Sequence, residues 1–250
     1  QSASTEDDWS EGNFQPIGSK AEPFEGNLDG DGYTISGLNL IGKNGKSKGS
    51  DRPAANYTGL FGYLAAGSGV TDVIIDASNI EGNQYTGAVA GYSEGTVKDC
   101  QLGKKGIVKG AVFTGGLIGY STQPLSSLRN MGEVTGTQSN TGGIVGYIGT
   151  EDKALIYCQN EGSVSGKDKT GGIAGTVISS PDSEATVEEC YNKGEVKGDS
   201  FNAGGIAGLV SGGNNTVTIE NCANSGEISG TGVNGGIAGL SDSKKATIIN

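Results

Sequence analysis

The chain of 250 residues contains 47 glycines and no histidine, and its formal net charge is −11 at pH 7. The glycines follow no three-residue period and only 5 prolines are present, which excludes a collagen-like triple helix. The acidic charge repels phosphate backbones and anionic headgroups, and no stretch reaches the roughly 18 apolar residues of a membrane span. We therefore expect no nucleic-acid partner and no membrane-spanning segment in this chain.

Residues 1–45 are predicted to form an N-terminal cap with lead-in strands, ahead of repeats in residues 46–250. The first coil of a repeat protein exposes its apolar interior unless other residues cover it. We expect the cover to come from Trp9, Phe14, Ile17, Phe24 and Leu28. The run Asp29–Gly32 faintly resembles a calcium loop, but Leu40 stands where the closing acidic residue belongs, which favours a turn.

A short motif then recurs seven times: a polar residue, one or two glycines, two apolar residues and a closing glycine. The closing glycines are Gly62, Gly91, Gly119, Gly146, Gly175, Gly208 and Gly239, so the period is 27 to 33 residues. One period cannot bury its apolar side chains alone, whereas stacked copies place equivalent residues one above another. The repeats therefore predict a solenoid.

A second motif lies between copies of the first and is clearest in Cys158–Gly166, Cys190–Gly198 and Cys222–Gly230. An apolar residue stands three positions before the cysteine slot of each copy: Val70, Val97, Leu125, Leu155, Val187 and Ile219. Each period thus holds about three short apolar segments without a helical spacing. We predict an all-β fold, a parallel β-helix of about seven coils with three short strands each. Right-handed winding follows from the general preference of parallel crossovers.

The Gly-Gly-Ile-Ala-Gly and Gly-Leu-Phe-Gly segments, with the lead-in Phe24–Leu38, resemble the GLUG-motif repeat family of bacterial surface proteins. That family includes adhesin-like proteins and the non-catalytic region of IgA-specific metallopeptidases. The resemblance covers about residues 14–250 and implies an extracellular β-helix, secreted or attached to the cell surface. Residues 247–250 match Thr218–Asn221, the run before a cysteine slot, so we expect a chain truncated in mid-coil.

Four tyrosines, Tyr63, Tyr92, Tyr120 and Tyr147, each follow a closing glycine and are predicted to form a row on consecutive coils. If the strand alternates, this position points outward. Exposed rings suit binding to a glycan or to a host or cell-surface protein. The alternative is a packed ladder without a ligand, which the later residues Thr176, Leu209 and Leu240 in the same row favour.

Two further rows are given structural interpretations. Cys158, Cys190 and Cys222 share a slot that Leu128 fills in another coil, which favours buried thiols over metal ligands. Asparagines two positions later are expected to satisfy backbone groups at a turn or to form an amide ladder. They are Asn130, Asn160, Asn192 and Asn224.

Catalysis finds little support. Glu133, Glu195 and Glu227 fall one per coil, as on a solvated face, and no histidine is available as a base for a nucleophile. We predict no catalytic residue, metal site or cofactor, and a non-catalytic extracellular module that presents a face for adhesion. The alternatives are a carbohydrate-active β-helix enzyme, which would need two or more carboxylates together in a groove, and a passive stalk for another domain.

Overall fold

A computed structural model describes residues 11–43 and 55–249, and in those residues every regular element is a short β-strand. Trp9 and the predicted boundary at residue 45 lie outside the described residues. The chain winds through successive coils whose corresponding strands pair in parallel.

The strands are numbered in chain order. Coil 1 contains β1 (Asn27–Asp29), β2 (Thr34–Ser36), β3 (Asn39–Ile41) and β4 (Phe61–Leu64). Coil 2 contains β5 (Gly69–Thr71), β6 (Ile74–Asp76), β7 (Asn79–Glu81), β8 (Gln84–Thr86) and β9 (Ala90–Ser93). Coil 3 contains β10 (Thr96–Lys98), β11 (Gln101–Leu102), β12 (Ile107–Gly110), β13 (Val112–Gly115) and β14 (Ile118–Ser121). Coil 4 contains β15 (Leu125–Ser126), β16 (Arg129–Asn130), β17 (Glu133–Gly136), β18 (Ser139–Gly142) and β19 (Val145–Thr150).

The later coils follow the same plan. Coil 5 contains β20 (Asp152–Ile156), β21 (Gln159–Asn160), β22 (Val164–Gly166), β23 (Asp168–Gly171) and β24 (Ala174–Ser179). Coil 6 contains β25 (Ala185–Glu188), β26 (Tyr191–Asn192), β27 (Val196–Gly198), β28 (Ala203–Gly204) and β29 (Ala207–Ser211). Coil 7 contains β30 (Thr216–Glu220), β31 (Ala223–Asn224), β32 (Ile228–Gly230), β33 (Asn234–Gly235) and β34 (Ala238–Ser241), and β35 (Lys245–Ile249) follows it.

Coils 2 to 7 each contribute one strand to each of five parallel sheets, which we call the first to fifth sheets in the order in which β5 to β9 enter them. The first sheet has eight strands, the second, third and fifth have seven each, and the fourth has six. In coil 1 the fourth position is held by a bridge between Thr58 and Thr86. The all-β parallel β-helix predicted from the repeats is confirmed.

The prediction of three strands per coil is wrong, because coils 2 to 7 have five strands each. Both repeated motifs divide at a glycine: Cys158–Gly166 supplies β21 and β22 on either side of Gly162. A Cβ at Gly162 would overlap the backbone carbonyl of Gly132 in the coil below, so the chain can bend there only without a side chain. The Gly-Gly pairs likewise separate the fourth-sheet strand from the fifth-sheet strand.

The predicted vertical register is confirmed residue by residue. The apolar residues before the cysteine slots form one column of the first sheet, which runs Leu28, Val70, Val97, Leu125, Leu155, Val187, Ile219 and Ile248. Ile144, Ile173 and Ile206 are fully buried. Their backbones are linked directly, since the N–H of Ile144 donates to Ile173 O at 2.9 Å and that of Ile173 to Ile206 O at 3.0 Å. From Val70 to Ile219 these columns belong to one continuous apolar interior, whereas Ile248 at the end of the column is 52% exposed.

The N-terminal segment covers coil 1 in two different ways. Phe14, Phe24 and Leu28 pack against the core, and the rings of Phe24 and Phe61 lie 4.6 Å apart. Ile17, predicted to plug the coil with its side chain, is instead 40% exposed. Its contribution comes from the backbone, because its N–H donates to Leu60 O and its carbonyl accepts from Gly62 N–H, each at 2.9 Å.

Candidate functional site

The four predicted tyrosines do form a row, on the outer side of the fifth sheet. Tyr63, Tyr92, Tyr120 and Tyr147 are paired in register on β4, β9, β14 and β19. Their rings stack face to face, with centroids 4.6, 4.8 and 4.7 Å apart and interplanar angles of 16°, 5° and 8°. All four rings are half-buried, so ring edges and hydroxyl groups rather than ring faces meet the solvent along most of the row.

A second aromatic row, which the sequence analysis missed, interlocks with the first. Tyr57, Tyr85 and Phe113 stack at 4.8 and 5.2 Å on the fourth-sheet side of the same corner. They meet the tyrosine row edge to face: Tyr85 and Tyr92 lie 5.5 Å apart at 76°, and Phe113 and Tyr120 lie 5.5 Å apart at 89°. Stacked and edge-to-face pairs are both favourable geometries for aromatic rings. We call the seven rings together the aromatic face.

An unusual backbone conformation positions the rings of the second aromatic row. Tyr57, Tyr85 and Phe113 have φ values of 55°, 60° and 54°, a left-handed conformation that bulky residues rarely adopt. The closing glycines explain how the conformation is accommodated, because a Cβ at Gly119 would lie 2.6 Å from the carbonyl carbon of Tyr85, and one at Gly146 2.5 Å from that of Phe113. The fifth-sheet strand therefore passes directly against the corner and brings the two rows together.

The phenols of the aromatic face stay protonated well beyond neutral pH. Burial raises the pKa of Tyr120 to about 12, and it also raises the pKa values of Tyr92 and Tyr147. Burial raises the pKa of Tyr63 as well, with a further contribution from its hydroxyl, which donates to Glu94 Oε1 at 2.8 Å. These hydroxyls are hydrogen-bonding groups for a ligand and have no character of a base.

The aromatic face ends at coil 4, and a groove opens there. In coil 5 the tyrosine row continues as Thr176, whose hydroxyl donates to Asn140 Oδ1 at 2.7 Å, and Asn140 in turn follows Phe113 in the second row. The groove, of about 720 Å³, is bordered by Tyr120, Tyr147 and residues within 122–124, 149–151 and 178–181. Glu151 is the single carboxylate among the residues that line it.

The other candidate residues behave as structural groups. Cys158, Cys190 and Cys222 are buried, as predicted. Cys100 is buried as well, and burial raises the pKa of its thiol to about 11. The four asparagines form an amide ladder, in which each Nδ2 donates to the Oδ1 of the next at 2.7 Å. Glu133, Glu195 and Glu227 are exposed on the third-sheet side, as predicted for a solvated face.

Comparison with known proteins supports the fold. No protein-family model matches the chain. Halomucin of Haloquadratum walsbyi is 37% identical over 122 residues, which are 47% of this chain and 1% of halomucin. A crystal structure of a candidate immunoglobulin A1 protease from Bacteroides ovatus superposes with a TM-score of 0.56 at 22% identity and covers 95% of this chain.

The chain spans 63% of the length of that structure and 1% of halomucin. At 22% identity the structural likeness concerns the β-helix fold alone. In residues 11–43 and 55–249 there is no helix with the length and apolar character needed to cross a bilayer.

Proposed function

We propose that the chain is a non-catalytic β-helix module of a bacterial surface or secreted protein, and that its aromatic face mediates adhesion to a glycan or a protein. The observation that carries the proposal is the cluster of seven interlocked rings on the outside of a fully formed solenoid. The interior already has its own apolar columns, so the rings are not needed to close the core. Amphipathic rings of this kind are enriched where proteins bind partners.

The proposed setting outside the cell is supported by the GLUG resemblance, by the similarity to halomucin and by the likeness to a candidate immunoglobulin A1 protease. The proposal that the module is not an enzyme rests on the groove, because glycoside hydrolysis ordinarily uses a pair of carboxylates about 5–10 Å apart. Glu151 is the single carboxylate among the residues that line the groove. A passive stalk remains the competing function, and binding measurements separate the two.

The test removes rings without removing packing. Tyr92→Leu/Tyr120→Leu introduces the residue that the chain itself uses at this register in Leu209 and Leu240. The matched control removes two exposed tyrosines elsewhere, Tyr33 (74% exposed) and Tyr191 (41% exposed), by the same substitution. Each protein is applied to a glycan array, to immobilised extracellular-matrix proteins and to cultured cells, after circular dichroism has verified the fold.

We expect the aromatic-face variant to lose binding at least tenfold and the control variant to bind as the unsubstituted chain does. Equal binding by both variants would contradict the assignment of the adhesive surface. If the unsubstituted chain binds no glycan, matrix protein or cell, the module is a passive stalk and the proposal is wrong.

A further inference from the structure

The groove beside Tyr147 exists because the outer surface of the fifth sheet changes at coils 4 and 5. Strands β19 and β24 have six residues each, whereas β4, β9 and β14 have four, so the sheet continues past the tyrosine row at this level. Gly149 on β19 stands opposite Ile178 on β24. A Cβ at Gly149 would lie 3.0 Å from Ile178 Cγ2 and 3.5 Å from Tyr147 Cε1. The glycine therefore keeps open the space between an aromatic ring and an aliphatic side chain.

Tyr147 differs from the other rings of its row because it is the last of them. Tyr120 covers one face of its ring at 4.7 Å, and the next residue in register is Thr176, which has no ring. The hydroxyl of Thr176 is directed to Asn140 and is buried there. Among the described residues, no aromatic side chain stacks on the second face of Tyr147, and that ring borders the groove.

We infer that this groove binds a neutral sugar unit of a glycan, an inference that rests on the proposed adhesive function. The apolar C–H face of a pyranose packs against Tyr147 and Ile178, as amphipathic ligands do on aromatic side chains. Its hydroxyls meet polar partners at the rim, namely Thr122, Gln123, Ser180 and Glu151. The volume of about 720 Å³ lies within the range of roughly 300–1,000 Å³ that small-ligand sites occupy.

The negative charge of the groove lining favours neutral glycans over acidic ones. Glu151 is the one charged residue that lines the groove, and no lysine or arginine stands there to neutralise an acidic sugar. The net charge of the chain is −11, which adds a long-range repulsion toward sialylated, sulfated or uronic-acid chains. A carboxylate accepts hydrogen bonds from sugar hydroxyls, so Glu151 suits a neutral glycan.

The pairing of the strands argues against an extended peptide as the occupant. Peptides commonly bind by adding a strand to an open sheet edge. Strands β14, β19 and β24 each have a neighbour on both sides in the fifth sheet. The pairing of β19 with β14 ends at Ile148, so the edge at the groove is only two residues long, Gly149 and Thr150, which is too short for strand addition.

The experiment uses the full chain on an array of neutral, sialylated and sulfated oligosaccharides, followed by calorimetric titration with the strongest neutral binder. Gly149→Leu fills the groove, and Gln123→Ala/Glu151→Ala removes polar partners while leaving the backbone alone. The matched control is Ser211→Leu, which adds the same side chain at the position paired with Ile178 in the next coil. We expect at least tenfold weaker binding for Gly149→Leu, about three- to tenfold weaker binding for the double variant, and unchanged binding for the control.

Each other outcome overturns the inference in an identifiable way. Binding of acidic glycans only, or of matrix proteins only, removes the neutral-sugar assignment and leaves the adhesive function standing. Neutral-glycan binding that Tyr92→Leu/Tyr120→Leu abolishes but both groove variants retain relocates the site to the aromatic face. Absence of any binding in both sets of assays overturns the inference and the proposed function together.

Discussion

The substitution Asn160→Ala tests the stacking on which every functional statement depends. Asn160 is fully buried in the middle of the amide ladder. Its Nδ2 donates to Asn192 Oδ1 at 2.7 Å and to Gly162 O at 2.9 Å, and its Oδ1 accepts from Asn130 Nδ2 at 2.7 Å. Alanine removes all three hydrogen bonds and leaves the neighbouring amides in an apolar interior.

The magnitude follows from those contacts. A hydrogen bond contributes about 1 kcal/mol net, and a buried polar group left unpaired costs about 1–3 kcal/mol. Asn130 keeps its bond to Gly132 O at 3.3 Å, whereas Asn192 Oδ1 loses the Asn160 donor. We therefore expect a loss of about 3 kcal/mol in the free energy of unfolding, within about 2–4 kcal/mol.

Urea denaturation followed by far-UV circular dichroism measures the effect. With an m-value of about 2 kcal/mol per M, the midpoint should fall by about 1.5 M. The control is Gln159→Ala, the adjacent, partly exposed residue of β21, for which a change within about 0.5 kcal/mol is expected. If the two variants were equally stable, the ladder would contribute nothing and the reasoning from buried amide stacking would be refuted.

Two further predictions concern titration and reactivity. The pKa of Tyr120 is about 12 in the folded chain, above the roughly 10 of an unfolded tyrosine, so its stabilising contribution is complete below pH 10 and is lost as the pH approaches 12. Thermal melting between pH 9 and about 12 should show this loss, reduced in Tyr120→Phe, whereas an equal loss in both proteins would exclude Tyr120 as its source. Cys100 should resist iodoacetamide at pH 8 and react fully in urea, as followed by peptide mass spectrometry, because burial raises its pKa to about 11. Rapid native alkylation would disagree with its burial.

The solenoid was predictable from sequence because equivalent residues of successive coils stack along the solenoid axis. Val97, Leu125 and Leu155 occupy the same position in successive repeats and pair with one another in the first sheet. Such a recurring apolar position predicts which residues of parallel strands stand opposite each other, even when the path of the chain within a coil is unknown. The path within a coil was not predictable in the same way. Strands of two residues, such as β21 and β26, are too short for a period-2 pattern, so each motif was read as one segment where the chain makes two.

The candidate site was predictable in part for a related reason. The tyrosine row is visible because each ring follows a closing glycine, but the second row required the backbone conformation of its members. A signal for it does exist in the sequence: Tyr57, Tyr85 and Phe113 each precede the threonine of the first motif. Their positive φ turns these side chains toward the neighbouring sheet, and sequence alone does not reveal that conformation. The groove depends on Gly149, one unrepeated glycine, which no periodic analysis distinguishes.

The two repeated motifs pack against each other, and substitutions between the coils of this chain show that dependence. A Cβ at Gly143 would lie 2.5 Å from the amide carbon of Asn160, and Cβ atoms at Gly116, Gly172 and Gly205 would meet the asparagine of the following coil in the same manner. Coil 2 has Ala88 in place of the second glycine, and the next coil then carries Leu102 in place of asparagine. Where alanine replaces the second glycine of the first motif, an apolar residue thus replaces the asparagine of the next coil. Contact between coils, more than the sequence of any single coil, determines which side chain each position accepts. That mutual dependence keeps the fifth sheet in register, so the tyrosine row stays aligned over four coils.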